Sequence, residues 1–120
     1  MRPDASLMTP GELERELQKL AHKTNDLCDT LHPLRSTYKT LDTHKTRMLA
    51  VITDRQKGNS HAEKERKALV SVEWKKYLRA LCLARKKFEK ADYEADNSNR
   101  LYESCRSVLS SKNTQRRTVT

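Results

Sequence analysis

The feature that most constrains this chain is a stripe of apolar residues that recurs every three or four positions along most of its 120 residues. Alternating steps of four and three average about 3.5 residues per repeat, and such a stripe keeps facing a partner helix, as in coiled coils. In the first half of the chain only Thr24 and Lys45 interrupt the pattern. Its apolar members there are Leu13, Leu17, Leu20, Leu27, Leu31, Leu34, Tyr38, Leu41, Met48 and Ile52.

A capping box marks the start of the first helix. Thr9 is a favourable N-cap residue, Pro10 suits the first helical position, and Glu12 stands three residues after the cap. The Thr9 hydroxyl and the Glu12 carboxylate can each accept a hydrogen bond from a backbone N–H that the helix leaves free. We therefore predict that a helix begins at about residue 10.

A glycine and a second capping box mark a turn in the middle of the chain. Gly58 is typical of the position just past a helix end, and Ser60 with Glu63 can cap a second helix. The predicted organisation is a flexible N-terminus over residues 1–9, a first helix over about 10–57, a turn at 58–60, a second helix over about 61–110 and a disordered basic tail over 111–120.

The second helix carries its own stripe, and the two stripes agree in register. A connection this short makes neighbouring helices antiparallel, which places Leu41 opposite Tyr77 and Leu27 opposite Ala91. The sequence therefore predicts an all-α fold, a long antiparallel two-helix coiled-coil hairpin. The second stripe consists of Val70, Trp74, Tyr77, Leu81, Ala84, Phe88, Ala91, Ala95, Ser98, Tyr102, Cys105 and Leu109.

Pro33 is the one violation of the helical pattern. Proline inside a helix removes a backbone hydrogen bond and clashes with the preceding turn. We expect a kink in the first helix at this residue. The alternative is a full break there, which would give three helices.

The composition supports the helical class and excludes several others. Two Gly and three Pro are too few for a sheet protein, which needs many turns, and 35% apolar residues leave too little for a thick globular core. No apolar run approaches the roughly 18 residues that span a membrane, and residues 1–9 lack the apolar core of a secretory signal. With three cysteines in no metal-like spacing, we expect free thiols, a cytoplasmic location and no membrane partner.

Near the turn, the apolar residues exceed one stripe. The surplus either packs against the partner helix or forms a surface for self-association, and we favour a homo-oligomer. The predicted oligomer interface consists of Leu49, Val51, Leu69, Val72, Leu78 and Leu83.

The net charge of +9 is concentrated in one part of the chain. Residues 64–90 contain ten basic and three acidic residues, and at about 100° per residue the cations lie on the helix face that points away from the partner helix. Such a strip can neutralise phosphates with little sequence specificity; a plain solvated face is the alternative. The predicted nucleic-acid-binding residues are Lys64, Lys75, Lys76, Arg79, Lys86, Lys87 and Lys90.

Catalysis and cofactor binding find little support in the sequence. The four histidines are scattered, and Cys28 with His32, which can share one helix face, lacks a third metal ligand. The chain has no Gly-rich phosphate loop and no nucleophile–base spacing, and two helices offer no deep pocket. We therefore expect a protein that is not an enzyme, with no catalytic residues, no metal and no cofactor.

The turn and the start of the second helix resemble a group of small phage-encoded helical proteins. The shared features are a Gly-x-Ser-x-Ala-Glu turn, here Gly58 to Glu63, and a Trp-Lys-x-Tyr-Leu segment, here Trp74 to Leu78. The resemblance covers about residues 11–110. It implies an early-region phage product that acts in DNA metabolism or interferes with a host protein, and it carries over no functional residue.

These features predict a phage or prophage accessory protein in the bacterial cytoplasm that binds nucleic acid, or a nucleic-acid complex, through the basic helix face. The rival hypothesis is a protein–protein adaptor or inhibitor that grips a host or phage protein through the apolar surplus. A third hypothesis is a structural subunit of a larger assembly.

Overall fold

The computed structural model describes the backbone of residues 7–119 and the side chains of residues 7–115. That part of the chain contains helices and no strands, which confirms the predicted all-α class. The predicted two-helix hairpin is wrong in its helix count, because each of the two predicted helices is divided by a break. The helices are α1 (Pro10–Thr43), α2 (Lys45–Arg55), α3 (His61–Leu69) and α4 (Val72–Val119).

The first break lies at His44, which has φ −90° and ψ 6°. The hydroxyl of Tyr77 donates a hydrogen bond to the backbone carbonyl of Leu41. In an unbroken helix that carbonyl would accept from the N–H four residues later, so a side chain from α4 takes the place of a helical hydrogen bond. Pro33 lies inside α1, and the alternative of a break at the proline is therefore wrong.

The second break lies at Val70 and Ser71, where the sequence predicted a continuous helix. The Ser71 N–H and hydroxyl both donate to the carbonyl of Ala68, at 3.1 and 2.7 Å, and close α3. The same hydroxyl accepts from the N–H of Trp74 at 3.2 Å. Ser71 thus serves as the N-cap of α4, a role for which serine is among the preferred residues.

The first predicted capping box is present, and the second forms with one difference, because Glu63 accepts from the N–H of Asn59 and not from that of the N-cap residue Ser60. The Glu12 N–H donates to the Thr9 hydroxyl at 3.2 Å, and the Thr9 N–H donates to the Glu12 carboxylate at 3.4 Å. At the turn, the Glu63 N–H donates to the Ser60 hydroxyl at 3.2 Å, while the Glu63 carboxylate accepts from the N–H of Asn59 at 3.0 Å. These bonds satisfy N–H groups that a helix start leaves without intrahelical partners.

The chain divides into two compact units, each with its own core. We call residues 1–31 with 91–120 the terminal unit, and residues 32–90 the central unit. In the terminal unit α1 and α4 are antiparallel, since Leu13 shares a core cluster with Cys105, and the Thr24 and Ser98 hydroxyls are hydrogen-bonded at 2.8 Å. The terminal core contains the buried residues Met8, Leu13, Leu20 and Cys105, with Leu17, Leu101, Tyr102, Val108 and Leu109 packed against them.

The core of the central unit gathers residues from three helices. Ile52 of α2, Ala68 of α3 and Trp74 of α4 are buried together, and Leu49 and Tyr77 pack against them. α2 and α3 lie side by side around the turn. Trp74 lies beneath both helices and is only 5% exposed. The breaks therefore let two short helices cover a large indole that a single facing helix would cover less completely.

The C-terminal part of α4 differs from the prediction. The helix continues to Val119, whereas we expected it to end near residue 110. Lys112 donates to the backbone carbonyl of Met8, and the Thr114 hydroxyl donates to the carbonyl of Ser110. No Pro or Gly interrupts this stretch. Of the predicted flexible N-terminus, residues 1–6 lie outside the described residues, and Met8 is buried in the terminal core.

Candidate nucleic-acid interface

The exposed side of α4 in the central unit carries a dense set of cations. Between Val72 and Lys90 the sequence holds seven basic and two acidic residues. At about 100° per residue, Lys75, Arg79 and Lys86 fall on the side opposite the buried Trp74. All six predicted binding residues of α4 are exposed. We call them the basic face: Lys75, Lys76, Arg79, Lys86, Lys87 and Lys90.

Lys64 does not belong to the basic face. It lies on α3 and is half-buried, and the break at Ser71 interrupts the helix that we expected to carry it together with Lys75. The predicted strip from Lys64 to Lys90 therefore shortens to the segment from Lys75 to Lys90, which is about 22 Å long at 1.5 Å per residue.

The acidic residues of this segment are already paired. The Glu73 carboxylate lies 3.4 Å from the Arg55 guanidinium, and the Glu89 carboxylate accepts from Arg85 at 2.9 Å. The hydrogen bond and charge of Glu89 raise the pKa of Arg85 above its usual range. Among residues 7–115, by contrast, no cation of the basic face takes part in an ion pair. The cations of this face are therefore exposed and not neutralised by a carboxylate within ion-pair distance among these residues.

The aromatic residues of the same segment are committed to packing. The rings of Trp74 and Tyr77 stack with centroids 5.7 Å apart, and Phe88 stacks on Tyr38 at 5.6 Å. Burial, with a smaller effect from the charge of Asp42, raises the pKa of Tyr77 above its ordinary value. Because base stacking needs an exposed ring, this segment presents charges at its surface and no ring on which a base could stack.

The predicted oligomer interface is exposed except at one position. Leu49 is half-buried and packs against the core of the central unit, so it is not available as a surface residue. Val70 was predicted in the buried stripe, yet it is 68% exposed, because the break at Ser71 removes it from the packed face of α4. The other predicted interface residues are exposed: Val51 by 38%, Leu69 by 46%, Val72 by 67%, Leu78 by 36% and Leu83 by 54%.

Two features of the structure were not predicted, and only the first has a signal in the sequence. Ser71 followed by Glu73 has the composition of a helix start, with an N-cap serine and an acid in the first turn, whereas the stripe through Val70 and Trp74 predicted one continuous helix. The second is the exposed Tyr93, which lines a groove of about 530 Å³ in the terminal unit. Spacing alone gave no indication that the facing helices leave space there.

The described part of the chain holds no group of three or more His, Cys, Asp or Glu side chains that could bind a metal ion. Its three cysteines are free thiols, of which Cys82 is exposed and Cys105 buried. None of the described helices contains an apolar stretch long enough to cross a membrane.

No protein-family profile, curated protein or solved structure matches this chain. The resemblance of the turn to phage-encoded proteins accordingly stays a hypothesis, and the function is argued from the residues of the chain itself.

Proposed function

We propose that this chain is a non-enzymatic accessory protein, of phage or prophage origin, that binds the backbone of nucleic acid through the basic face of α4. The observation that carries the proposal is a contrast in ion pairing between the cations and the acids of this segment. The six cations of the basic face are exposed and without ion pairs among the described residues, whereas both acids of the same segment are held by arginines.

A row of cations on a straight helix suits a polyanion. Duplex DNA carries one charge per about 1.7 Å of axis, and each phosphate neutralised by the protein releases condensed counterions. The basic face, about 22 Å long, spans roughly two thirds of a turn of duplex DNA, whose turn measures about 34 Å. Several phosphates can therefore be contacted without bending either partner.

Recognition through this face is expected to depend little on base sequence. Five of its six cations are lysines, which act as point charges, whereas bidentate reading of guanine is best served by Arg. The segment presents no exposed aromatic ring, since Trp74, Tyr77 and Phe88 are packed. Contacts to phosphate position a protein on nucleic acid but carry no direct sequence information.

The proposal is tested by fluorescence anisotropy of a labelled duplex over a series of salt concentrations. If all six cations contact phosphate, the slope of log K against log salt is about −5, from roughly −0.9 per phosphate. The variant Lys75→Gln/Arg79→Gln/Lys86→Gln/Lys90→Gln is expected to lose most of that slope.

The matched control removes the same charge elsewhere. Arg15, Lys19, Lys39 and Lys45 are exposed on α1 and α2, and their joint replacement by Gln lowers the net charge equally. This control is expected to bind nearly as the original chain does. Equal weakening in both variants, or no binding at low salt, would exclude the basic face as the binding site.

Exposed apolar residues support a second candidate, an adaptor that binds another protein. Leu69, Val70 and Val72 surround the joint between α3 and α4, and all are at least 46% exposed. The adaptor hypothesis predicts that Val70→Ser/Val72→Ser abolishes capture of a partner that survives nuclease treatment, while the quadruple variant of the basic face does not. The third hypothesis, a structural subunit, predicts a large assembly of defined mass in light scattering.

A further inference from the structure

An exposed leucine lies in the middle of the basic face. Leu83 is 54% exposed and stands at the midpoint of the segment from Lys75 to Lys90. At about 100° per residue, its side chain points about 180° away from that of Trp74, which is buried in the core of the central unit. Leu83 therefore occupies the part of α4 that is furthest from the core and open to a binding partner.

Cations stand on both sides of this leucine. At about 100° per residue, Lys76 and Lys87 lie about 20–40° to one side of Leu83. Lys75 and Lys86 lie about 60–80° to the other side. All four lysines are exposed, and the other two cations of the basic face lie between these flanks. The basic face thus covers an arc of about 120° around the helix, with an apolar residue inside it.

This arrangement does not match a single phosphate chain lying along the helix. One strand needs cations in a narrow row, and on this face it would pass over Leu83. A charged phosphate that loses water against an apolar side chain is destabilised unless other groups replace that water. A channel with phosphates along both walls and bases on its floor suits both the wide arc of cations and the leucine between them.

The major groove of B-form DNA is such a channel. It is about 12 Å wide and about 8.5 Å deep and admits an α-helix, whose diameter with side chains is about 10–12 Å. Phosphate chains border the groove, and thymine methyl groups lie on its floor. Because a helix is wider than the groove is deep, the side of α4 that carries Trp74 stays outside, where α2 and α3 cover it.

Resting on the nucleic-acid binding proposed above, we propose that α4 binds in the major groove of duplex DNA. Lys75 and Lys86 contact the phosphates of one strand, Lys76 and Lys87 contact those of the other, and Leu83 lies against the groove floor. Double-stranded RNA is a poorer ligand, because the major groove of an A-form helix is deep and too narrow for side chains to read. A single leucine contact adds little preference for base sequence.

An anionic membrane is the other surface that could accept cations around an apolar residue. Helices that lie in a membrane interface bury a broad apolar face with aromatic side chains and leucines. On α4 the large rings of Trp74 and Phe88 are instead packed inside the protein, so its exposed side in the central unit lacks that breadth. The charge and the shape of the basic face together favour DNA.

A duplex with a blocked major groove tests the proposal. Fluorescence anisotropy compares a plain DNA duplex with the same duplex whose pyrimidines carry a bulky group at C5, a position that points into the major groove. Both duplexes have the same phosphates, so contact with the backbone alone predicts equal affinity. Groove binding predicts affinity at least about tenfold lower for the blocked duplex, and for an RNA duplex of the same sequence.

The variant Leu83→Gln tests the leucine without changing the charge. It is expected to bind the plain duplex about fivefold more weakly, because an apolar contact is lost, and to keep the same salt slope. The matched control is Leu78→Gln. Leu78 is 36% exposed on the same helix but lies about 140° from Leu83, and its replacement is expected to change affinity by less than about twofold. Circular dichroism checks that both variants keep their helix content.

The outcomes separate groove binding from the proposed function. Equal affinity for the plain and blocked duplexes, with a steep salt dependence, would overturn groove binding and leave backbone binding by the basic face intact. Tighter binding to phosphatidylserine vesicles than to the plain duplex would overturn the choice of DNA over a membrane. The absence of binding to any duplex at low salt would exclude the proposed function, and groove binding with it.

Discussion

The terminal and central units are made from the same two stripes, yet they differ in packing and in charge. In the terminal unit long stretches of α1 and α4 pack through small residues and leucines, as the stripes predict. In the central unit the helices break at His44 and at Ser71, and two short helices cover Trp74. The terminal unit is nearly neutral, whereas the central unit carries the whole net charge.

This difference shows what a wide apolar surface does to a helical hairpin. A narrow stripe is buried by one facing helix, as Ala91 and Ala95 are in the terminal unit. Trp74 and Tyr77 together present more apolar area than one facing helix covers. Burial of that area is worth about 25 cal/mol per Å². Breaking two helices costs a few backbone hydrogen bonds, which Ser71 and the Tyr77 hydroxyl partly replace.

The largest expected effect comes from removing the indole around which the central unit is built. Trp74→Ala should lower the free energy of unfolding by ~3–5 kcal/mol, because it deletes a buried side chain stacked on Tyr77. Hydrogen exchange should show a greater loss of protection in α3 than in the terminal unit. Leu13→Ala, which opens the terminal core, should give the reverse pattern. Equal loss in both units for both variants would show that the two cores are not separate.

The next largest expected effect on stability comes from the break between α3 and α4. Ser71→Ala removes the hydroxyl that caps α4 and should cost about 1 kcal/mol of unfolding free energy, the usual cost of losing an N-cap. The control Ser107→Ala changes an exposed serine inside α4 and should stay within about 0.5 kcal/mol. Denaturant unfolding measures both. A gain of stability in Ser71→Ala would mean that the chain favours the continuous helix that the stripe predicted.

The sequence predicted the local structure well wherever a residue acts within its own helix. The capping boxes at Thr9 and Ser60 depend on neighbours three residues away, and both formed. The antiparallel pairing of Leu13 with Cys105 also follows from the stripes. What the stripes do not encode is how many helices are needed to bury Trp74. The number of helices depends on the volume of the indole and on hydrogen bonds to backbone groups far away in the sequence, such as the one from Tyr77 to Leu41.

The candidate sites show the same distinction between features of one helix, which the sequence predicted, and features that need two helices, which it did not. The six cations of α4 were placed correctly on an exposed face, because a helix fixes the directions of side chains on one element. Lys64 was misplaced because its direction depended on a helix that breaks at Ser71. The groove beside Tyr93 depends on two facing helices at once, and single-stripe reasoning did not predict it.

A pH-dependent effect tests the break at His44, where the hydroxyl of Tyr77 donates to the backbone carbonyl of Leu41. The pKa of Tyr77 is raised in the folded state by burial first and by Asp42 second, so its contribution to stability is complete below the unfolded pKa of about 10 and falls as pH rises beyond it. Tyr77→Phe should lose ~1 kcal/mol at neutral pH, the value of a typical hydrogen bond. The difference between the two chains in thermal unfolding should shrink above pH ~10, and a constant difference would contradict this role.

The smallest expected effect is at the turn, where Glu63 accepts from the N–H of Asn59 and lies beside Lys67. The backbone hydrogen bond, followed by the charge of Lys67, lowers the pKa of this carboxyl from 4.5. A carboxyl with a lowered pKa stabilises the fold above its unfolded pKa and loses that contribution as pH falls through the folded value. Glu63→Gln should therefore melt slightly below the original chain at neutral pH and together with it in acid. Because the turn belongs to the central unit, Glu63→Gln should leave hydrogen exchange in the terminal unit unchanged. A change in exchange there would mean that the turn supports both cores.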